Sequence, residues 1–194
     1  MNTNLKVLSL VTSLLALGSC MISEALAEQW KGNTYGRADA PVTIEIYHDL
    51  NCGMCNYWYQ KVFPQLDTEY FSTGRAKLVV REFPMIQNEK NMQLAVALKC
   101  AAEQDRYFDF LKGHFSYEGE TDVHALAQQL HLDPKKFDTC LKDPSKVAEI
   151  ESDIQAGKAL NVPGTPSFGV NGTPVYGAYS IDKIRKIVDS VGSK

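Results

Sequence analysis

Apolar and polar residues alternate along Val42-Thr43-Ile44-Glu45-Ile46-Tyr47, and β-branched side chains dominate the run. Such period-two alternation predicts a β-strand. From residue 55 to residue 72 the aromatic and apolar positions recur at helical spacing, with Pro64 as a kink and Thr73-Gly74 as the stop. A second strand is expected from Ala76 to Phe83. From residue 88 to about residue 160 the pattern is helical, with Met92, Ala95, Val96 and Cys100 on one face. Thr121-Asp122, Asp133-Pro134 and Asp143-Pro144 have the form of helix starts. Two short runs, 167–170 and 174–176, flank Asn171-Gly172, a signal for a two-residue hairpin turn. Ser180 then caps an amphipathic helix carrying Ile181, Ile184, Ile187, Val188 and Val191. The predicted order is a βαβ half, a helical block, and a ββα half, with residues 28–41 polar and turn-rich.

Composition sharpens this α/β picture in two places. A chain of 194 residues with 44% hydrophobic and 22% charged residues suits one domain and excludes wholesale disorder. A net charge of −3 argues against nucleic acid as the main partner, because phosphate binding wants a concentrated basic surface. The single long apolar stretch lies at the N-terminus. Lys6, the run from Val7 to Leu17, and Ala25-Leu26-Ala27 before Glu28 form the three-part layout of an export signal over residues 1–27. That apolar run is shorter than the roughly 20 residues needed to span a bilayer. Leu17-Gly18-Ser19-Cys20 also resembles a bacterial lipobox, in which Cys20 would be acylated. The remaining domain is 28–194, with the helical insertion at about 88–160.

Five cysteines stand at 20, 52, 55, 100 and 140. Cys20 is lost or acylated under either reading of the N-terminus, which leaves an even number for a compartment that permits disulfides. Cys52-Gly53-Met54-Cys55 follows the first strand closely and opens the first helix. The first turn of a helix has unpaired N–H groups and the positive end of the helix dipole, and both favour a thiolate over a thiol. Cys52 is expected to be exposed and to attack substrate, and Cys55 to be buried and to resolve the mixed disulfide. An inert disulfide or half of a zinc site are the alternatives, although no second CxxC or HxxxH supplies further zinc ligands. His114, His124 and His131 fall at spacings that fit helix surfaces. Cys100 and Cys140 fall in two separate predicted helices, and parity pairs them as a structural disulfide. Strand, CxxC, helix and strand, followed later by hairpin and helix, is a thioredoxin-type layout.

Four segments together resemble the DsbA-type thiol–disulfide oxidoreductases. They are Ala40-Pro41-Val42-Thr43-Ile44, Asp49-Leu50-Asn51-Cys52-Gly53-Met54-Cys55, Arg81-Glu82-Phe83-Pro84, and Val162-Pro163-Gly164-Thr165-Pro166-Ser167-Phe168 with Val170-Asn171-Gly172. The resemblance spans nearly all of the mature chain. It implies a periplasmic or extracytoplasmic thioredoxin fold, with Pro166 a cis-proline facing the CxxC and Thr165 offering backbone hydrogen bonds to an extended substrate. It further implies cysteine-bearing exported proteins as substrates, a quinone-linked membrane partner that reoxidises Cys52–Cys55, and no diffusible cofactor.

Two departures from that family stand out. Its members usually carry a buried acid six residues before the first cysteine, where this chain has Ile46. Glu45 is next door, but neighbouring strand residues point to opposite faces. The strongly oxidising members often have Pro-His in the spacer, where this chain has Gly53-Met54. Disulfide isomerase or reductase activity is therefore an alternative direction. His48, four residues before Cys52, is expected at a strand end, half exposed and silent. Its other reading makes it a copper ligand with both cysteines, in a binding protein. Tyr57, Trp58 and Tyr59 are expected in the core, with one of them free to line a peptide groove.

Overall fold

The computed structural model describes residues 30–117, 119–175 and 181–192. The signal segment, Cys20, Tyr176 and Ser180 lie outside these residues. A six-stranded sheet is built from β1 (Trp30–Lys31), β2 (Thr34–Tyr35), β3 (Val42–His48), β4 (Ala76–Glu82), β5 (Ser167–Val170) and β6 (Thr173–Val175), in the order β1-β2-β4-β3-β5-β6. β3 and β4 run parallel, with Val42 opposite Ala76 and His48 opposite Glu82. β5 lies antiparallel on the other side of β3, with Ile46 opposite Phe168.

β1 and β2 were not expected. The turn-rich stretch folds into a small hairpin that pairs antiparallel with β4 through Thr34–Val79 and Tyr35–Leu78. Its strands are too short for alternation to register, and tertiary pairing decides them.

The helix expected over 55–72 is broken into three pieces. α1 (Gly53–Lys61) is followed by the single turn α2 (Phe63–Leu66) and a π-helical turn at Asp67–Phe71. In a continuous helix Pro64 would donate to the carbonyl of Gln60, and it has no N–H to give. The chain therefore restarts at Val62, with Pro64 in the first turn of α2. Gly74, at φ +73°, ends the segment in the left-handed region that glycine tolerates.

The helical insertion comprises α3 (Glu89–Ala102), α4 (Tyr107–Ser116), α5 (Val123–Gln129), α6 (Pro134–Leu141) and α7 (Pro144–Ala159). Asp122, Asp133 and Asp143 each accept backbone N–H bonds at the starts of α5, α6 and α7, as their sequence context predicts. α3 is the hub of the insertion, contacting α4, α5, α6 and α7, and α7 also packs on β4. That last approach is close: a Cβ on Gly157 would stand 2.5 Å from the Phe83 ring. Cys100 of α3 and Cys140 of α6 are joined by a disulfide with a Cα–Cα distance of 5.6 Å.

After the insertion, Asn171 and Gly172 both have positive φ, the backbone of a tight turn between β5 and β6. α8 (Ile181–Gly192) buries Ile184 and Val188, and packs against β3. Among the described residues, no helix is long and apolar enough to cross a membrane.

Candidate active site

Three pieces of chain converge at the carboxyl end of β3: the β3–α1 connection, the start of α1, and the loop before β5. Cys52 is the N-cap of α1, and the N–H groups of Cys55 and Asn56 donate to its carbonyl at 3.0 and 3.2 Å. Its sulfur is thus held at the helix end where free N–H groups concentrate. Asp49 fixes the approach. Its carboxylate accepts the N–H of Asn51 at 2.8 Å and the N–H of Met85 at 2.9 Å, and its carbonyl accepts the N–H of Cys52 at 3.0 Å. The His114 Nε2–H donates to the Leu50 carbonyl at 2.8 Å, while Nδ1 pairs with the Thr121 hydroxyl. Burial pushes the His114 pKa down, partly offset by that bond to Leu50.

The Thr165–Pro166 peptide is cis, and the Thr165 carbonyl accepts the Cys52 thiol proton at 3.2 Å. Cys55 lies one turn deeper, fully buried. Burial pushes the Cys55 thiol well up, against bonds from the Asp49 N–H and the Thr165 side chain that favour the thiolate. Cys52 and Cys55 both carry free thiols. Cys52, Cys55 and the Thr165–Pro166 peptide therefore meet: a half-exposed sulfur bonded to the Thr165 carbonyl, and a buried sulfur beneath it that the Thr165 side chain reaches. Met54 and Tyr57 on α1, with Met85 and Ile86 after β4, leave an apolar rim exposed around it. Trp58 and Tyr59 are buried, so of the three aromatics after the motif only Tyr57 faces outward.

His48 overturns the expectation of a half-exposed, silent side chain. It is fully buried, and its Nε2 lies 2.9 Å from Oε2 of Glu82, the residue opposite it in the sheet. The end of β3 is buried there: the Tyr59 ring of α1 lies edge-on to His48 at 5.7 Å, and the Tyr107 hydroxyl of α4 stands 3.4 Å from Nε2. The Tyr107 hydroxyl donates to the other Glu82 oxygen at 2.7 Å. Burial alone would raise the Glu82 pKa, but the charge and hydrogen bond of His48, the charge of Lys99 and the Tyr107 bond together hold it below the ordinary value. His48 is thus committed to Glu82 and not to a copper set with the two cysteines. No cluster of three His, Cys, Asp or Glu side chains suited to a metal occurs among the described residues.

Glu45, on the other face of β3, pairs with Arg81 at 2.7 Å. Arg81 also meets Asp153 at 3.1 Å, and Asp153 accepts Lys99 at 2.8 Å and the Glu82 N–H at 3.2 Å. No acid stands at Ile46, but a buried acid, Glu82, stands on the neighbouring strand opposite His48. Its signal was legible: Ala76, Leu78, Val80 and Glu82 form one alternating face, and a glutamate continuing an apolar face is out of place unless paired. The partners Tyr107, Lys99 and Asp153 come from the insertion, and no local pattern announces them.

A thioredoxin fold with a helical insertion and a CxxC at the first helix start defines the class. A family model described as Thioredoxin matches residues 28–190, and the chain belongs to that family. BdbD from Bacillus subtilis superposes with a TM-score of 0.74 at 19% identity, covering 84% of this chain and 94% of that one. Wolbachia pipientis alpha-DsbA1 does so with a TM-score of 0.69 at 23% identity, covering 83% and 90%. Both likenesses show a shared DsbA-type fold. A Rickettsia prowazekii protein named as a protein-disulfide oxidoreductase is 28% identical over 166 residues, covering 79% of this chain and 59% of its own length. The chain thus spans about three fifths of that relative.

Proposed function

We propose that this chain is an exported protein thiol–disulfide oxidoreductase that exchanges disulfides with cysteine-bearing folding proteins through Cys52 and Cys55. The observation that carries the reading is the placement of the Cys52 sulfur at the α1 N-terminus, bonded to the Thr165 carbonyl, with Cys55 buried beneath it. In the oxidising direction, a substrate thiolate attacks Cys52 of the Cys52–Cys55 disulfide, and Cys55 leaves with the electron pair. A second substrate thiolate then attacks the substrate sulfur of the mixed disulfide. Cys52 leaves as a thiolate, the substrate holds a disulfide, and the protein holds two reduced cysteines. The reverse sequence reduces or isomerises. The exposed apolar rim suits an unfolded chain, and the backbone of the cis-proline loop offers it hydrogen bonds.

Export rests on the signal layout of residues 1–27, with lipidation of Cys20 as the variant form, and the working domain is 28–194. A quinone-linked membrane partner would reoxidise the pair. The test is trapping. Cys55→Ser should accumulate a mixed disulfide between Cys52 and a cysteine peptide, and Cys52→Ser should accumulate none. Adducts on Cys55 but not on Cys52 would reverse the roles, and none on either would sink the reading.

A further inference from the structure

The three residues that join β3 to Cys52 are each tied to a different part of the chain. The Asp49 carboxylate accepts the Met85 N–H, the Leu50 carbonyl accepts the His114 Nε2–H, and the Asn51 side-chain amide donates to Asn91 Oδ1 at 3.1 Å. Two of these ties lead to one place. The Asn91 amide, in the first turn of α3, also donates to the Ile86 carbonyl at 2.8 Å, and the Asn91 N–H is held by the Asn88 side chain at 2.9 Å. Met85 and Ile86 lie in the connection from β4 to α3, which has no helix or strand of its own. Asp49 thus holds the N–H of Met85, and Asn91 the carbonyl of the next residue. The same two side chains hold the N–H and the amide of Asn51, the neighbour of Cys52. Met85 is 50% exposed and Ile86 65%, the highest value among the large apolar side chains of the described residues. An apolar pair so exposed, on a loop so pinned, is displayed for contact rather than folded away.

We propose that Asp49 and Asn91 are positioning residues that hold Met85 and Ile86 in one register with Cys52, and so make the site select disulfides whose cysteine is flanked by an apolar side chain. This rests on the exchange reading above and adds a substrate class to it. A substrate sulfur at Cys52 brings its flanking residues to the rim. Ordering a loop during that encounter would cost conformational entropy, and a loop already fixed by hydrogen bonds at Met85 and at Ile86 avoids the cost. The Asn91 bonds lie at the surface, where water competes, so their contribution is modest. Neither residue reacts. Asp49 acts through the Met85 N–H, and Asn91 through the Ile86 carbonyl.

The test uses the full reduced mature chain and two homodimeric peptide disulfides, which differ only in carrying leucine or serine on both sides of the cysteine. Acid-quenched samples separated by chromatography give a second-order rate constant for each peptide. The readout is the ratio of the two constants, because a change that loosens the fold or alters Cys52 reactivity slows both peptides alike. The unaltered protein should prefer the leucine peptide about tenfold. Asn91→Ala should cut that ratio about fivefold. Asn91→Asp keeps the acceptor for Asn51 but sets a carboxylate against the Ile86 carbonyl, and should cut the ratio at least as far. Asp49→Asn leaves one acceptor for two N–H groups and should also lower it. Ile86→Ser alters only a surface side chain and should remove most of the preference, so it keeps the proposal testable if Asp49→Asn does not fold. A preference that survives Asn91→Ala would overturn the proposal, even where Ile86→Ser removes it. So would equal rates with the two peptides in the unaltered protein, or variants that slow both peptides alike. Failure of the unaltered protein to reduce either peptide would instead sink the exchange reading itself.

Discussion

The two cysteine pairs of this chain occupy opposite environments. Cys52 and Cys55 are separated by two residues, straddle a helix N-terminus, and stand as free thiols with one sulfur half exposed. Cys100 and Cys140 are 40 residues apart, both buried, and bonded between two helices of the insertion. The start of α1 presents Cys52, half exposed, beside the cis-proline loop, with Cys55 buried beneath it. The second pair ties α3, the hub helix of the insertion, to α6. One side-chain type thus serves exchange at the surface of the fold and constraint in its interior, and position alone separates the two.

The comparison breaks most easily at Cys52. Cys52→Ser should abolish reduction of an insulin-like substrate, whereas a double Cys100→Ser, Cys140→Ser variant should keep it. The same double variant should unfold more readily. Releasing a closed loop of this size costs about 4 kcal/mol on the chain-entropy model, and a fall in Tm of about 10 °C should be seen by calorimetry. Both cysteines found alkylatable in the natively folded protein would remove the constraint from the account.

Met54 sharpens the first pair. It is exposed beside Cys52 and offers no hydrogen-bond donor. Met54→His should raise the Cys52–Cys55 potential by about 30 mV, a tenfold change in the exchange equilibrium, because an imidazole beside the sulfur favours the thiolate form. An unchanged potential in a glutathione-buffered titration would mean that the spacer does not set the redox poise.

The smallest expected effect is on stability against pH. Burial lowers the His114 pKa in the fold, so the native state binds fewer protons than the unfolded chain. Its contribution is complete above the unfolded value of about 6.5 and is lost as pH falls from there toward the folded value. Denaturant midpoints at pH 7.5 and 5.5 should therefore differ less in His114→Gln than in the parent.

Much of this was legible in the sequence. β3, β4 and the β5–β6 hairpin follow from alternation and from Asn171-Gly172, and the three aspartate caps follow from their spacing to proline or to the next apolar run. Cys52, Cys55, Thr165 and Pro166 are adjacent in the fold because each sits at an element end that a motif marks. What escaped depends on contacts distant in sequence. The small hairpin at residues 30–35 exists through pairing with β4. The environment of His48 is set by Glu82 from the next strand and Tyr107 from the insertion, 34 and 59 residues away. A strand-end histidine reads as half exposed until the helix that covers it is placed.

The most direct test is a redox titration of both pairs in one sample, with mass spectrometry of alkylated thiols at each potential. The account predicts that Cys52–Cys55 titrates between about −270 and −120 mV, between thioredoxin and the strong oxidants. Cys100–Cys140 should stay oxidised below about −300 mV, as structural disulfides do. A Cys52–Cys55 pair that resists reduction beyond about −300 mV, or two pairs that titrate together, would contradict it.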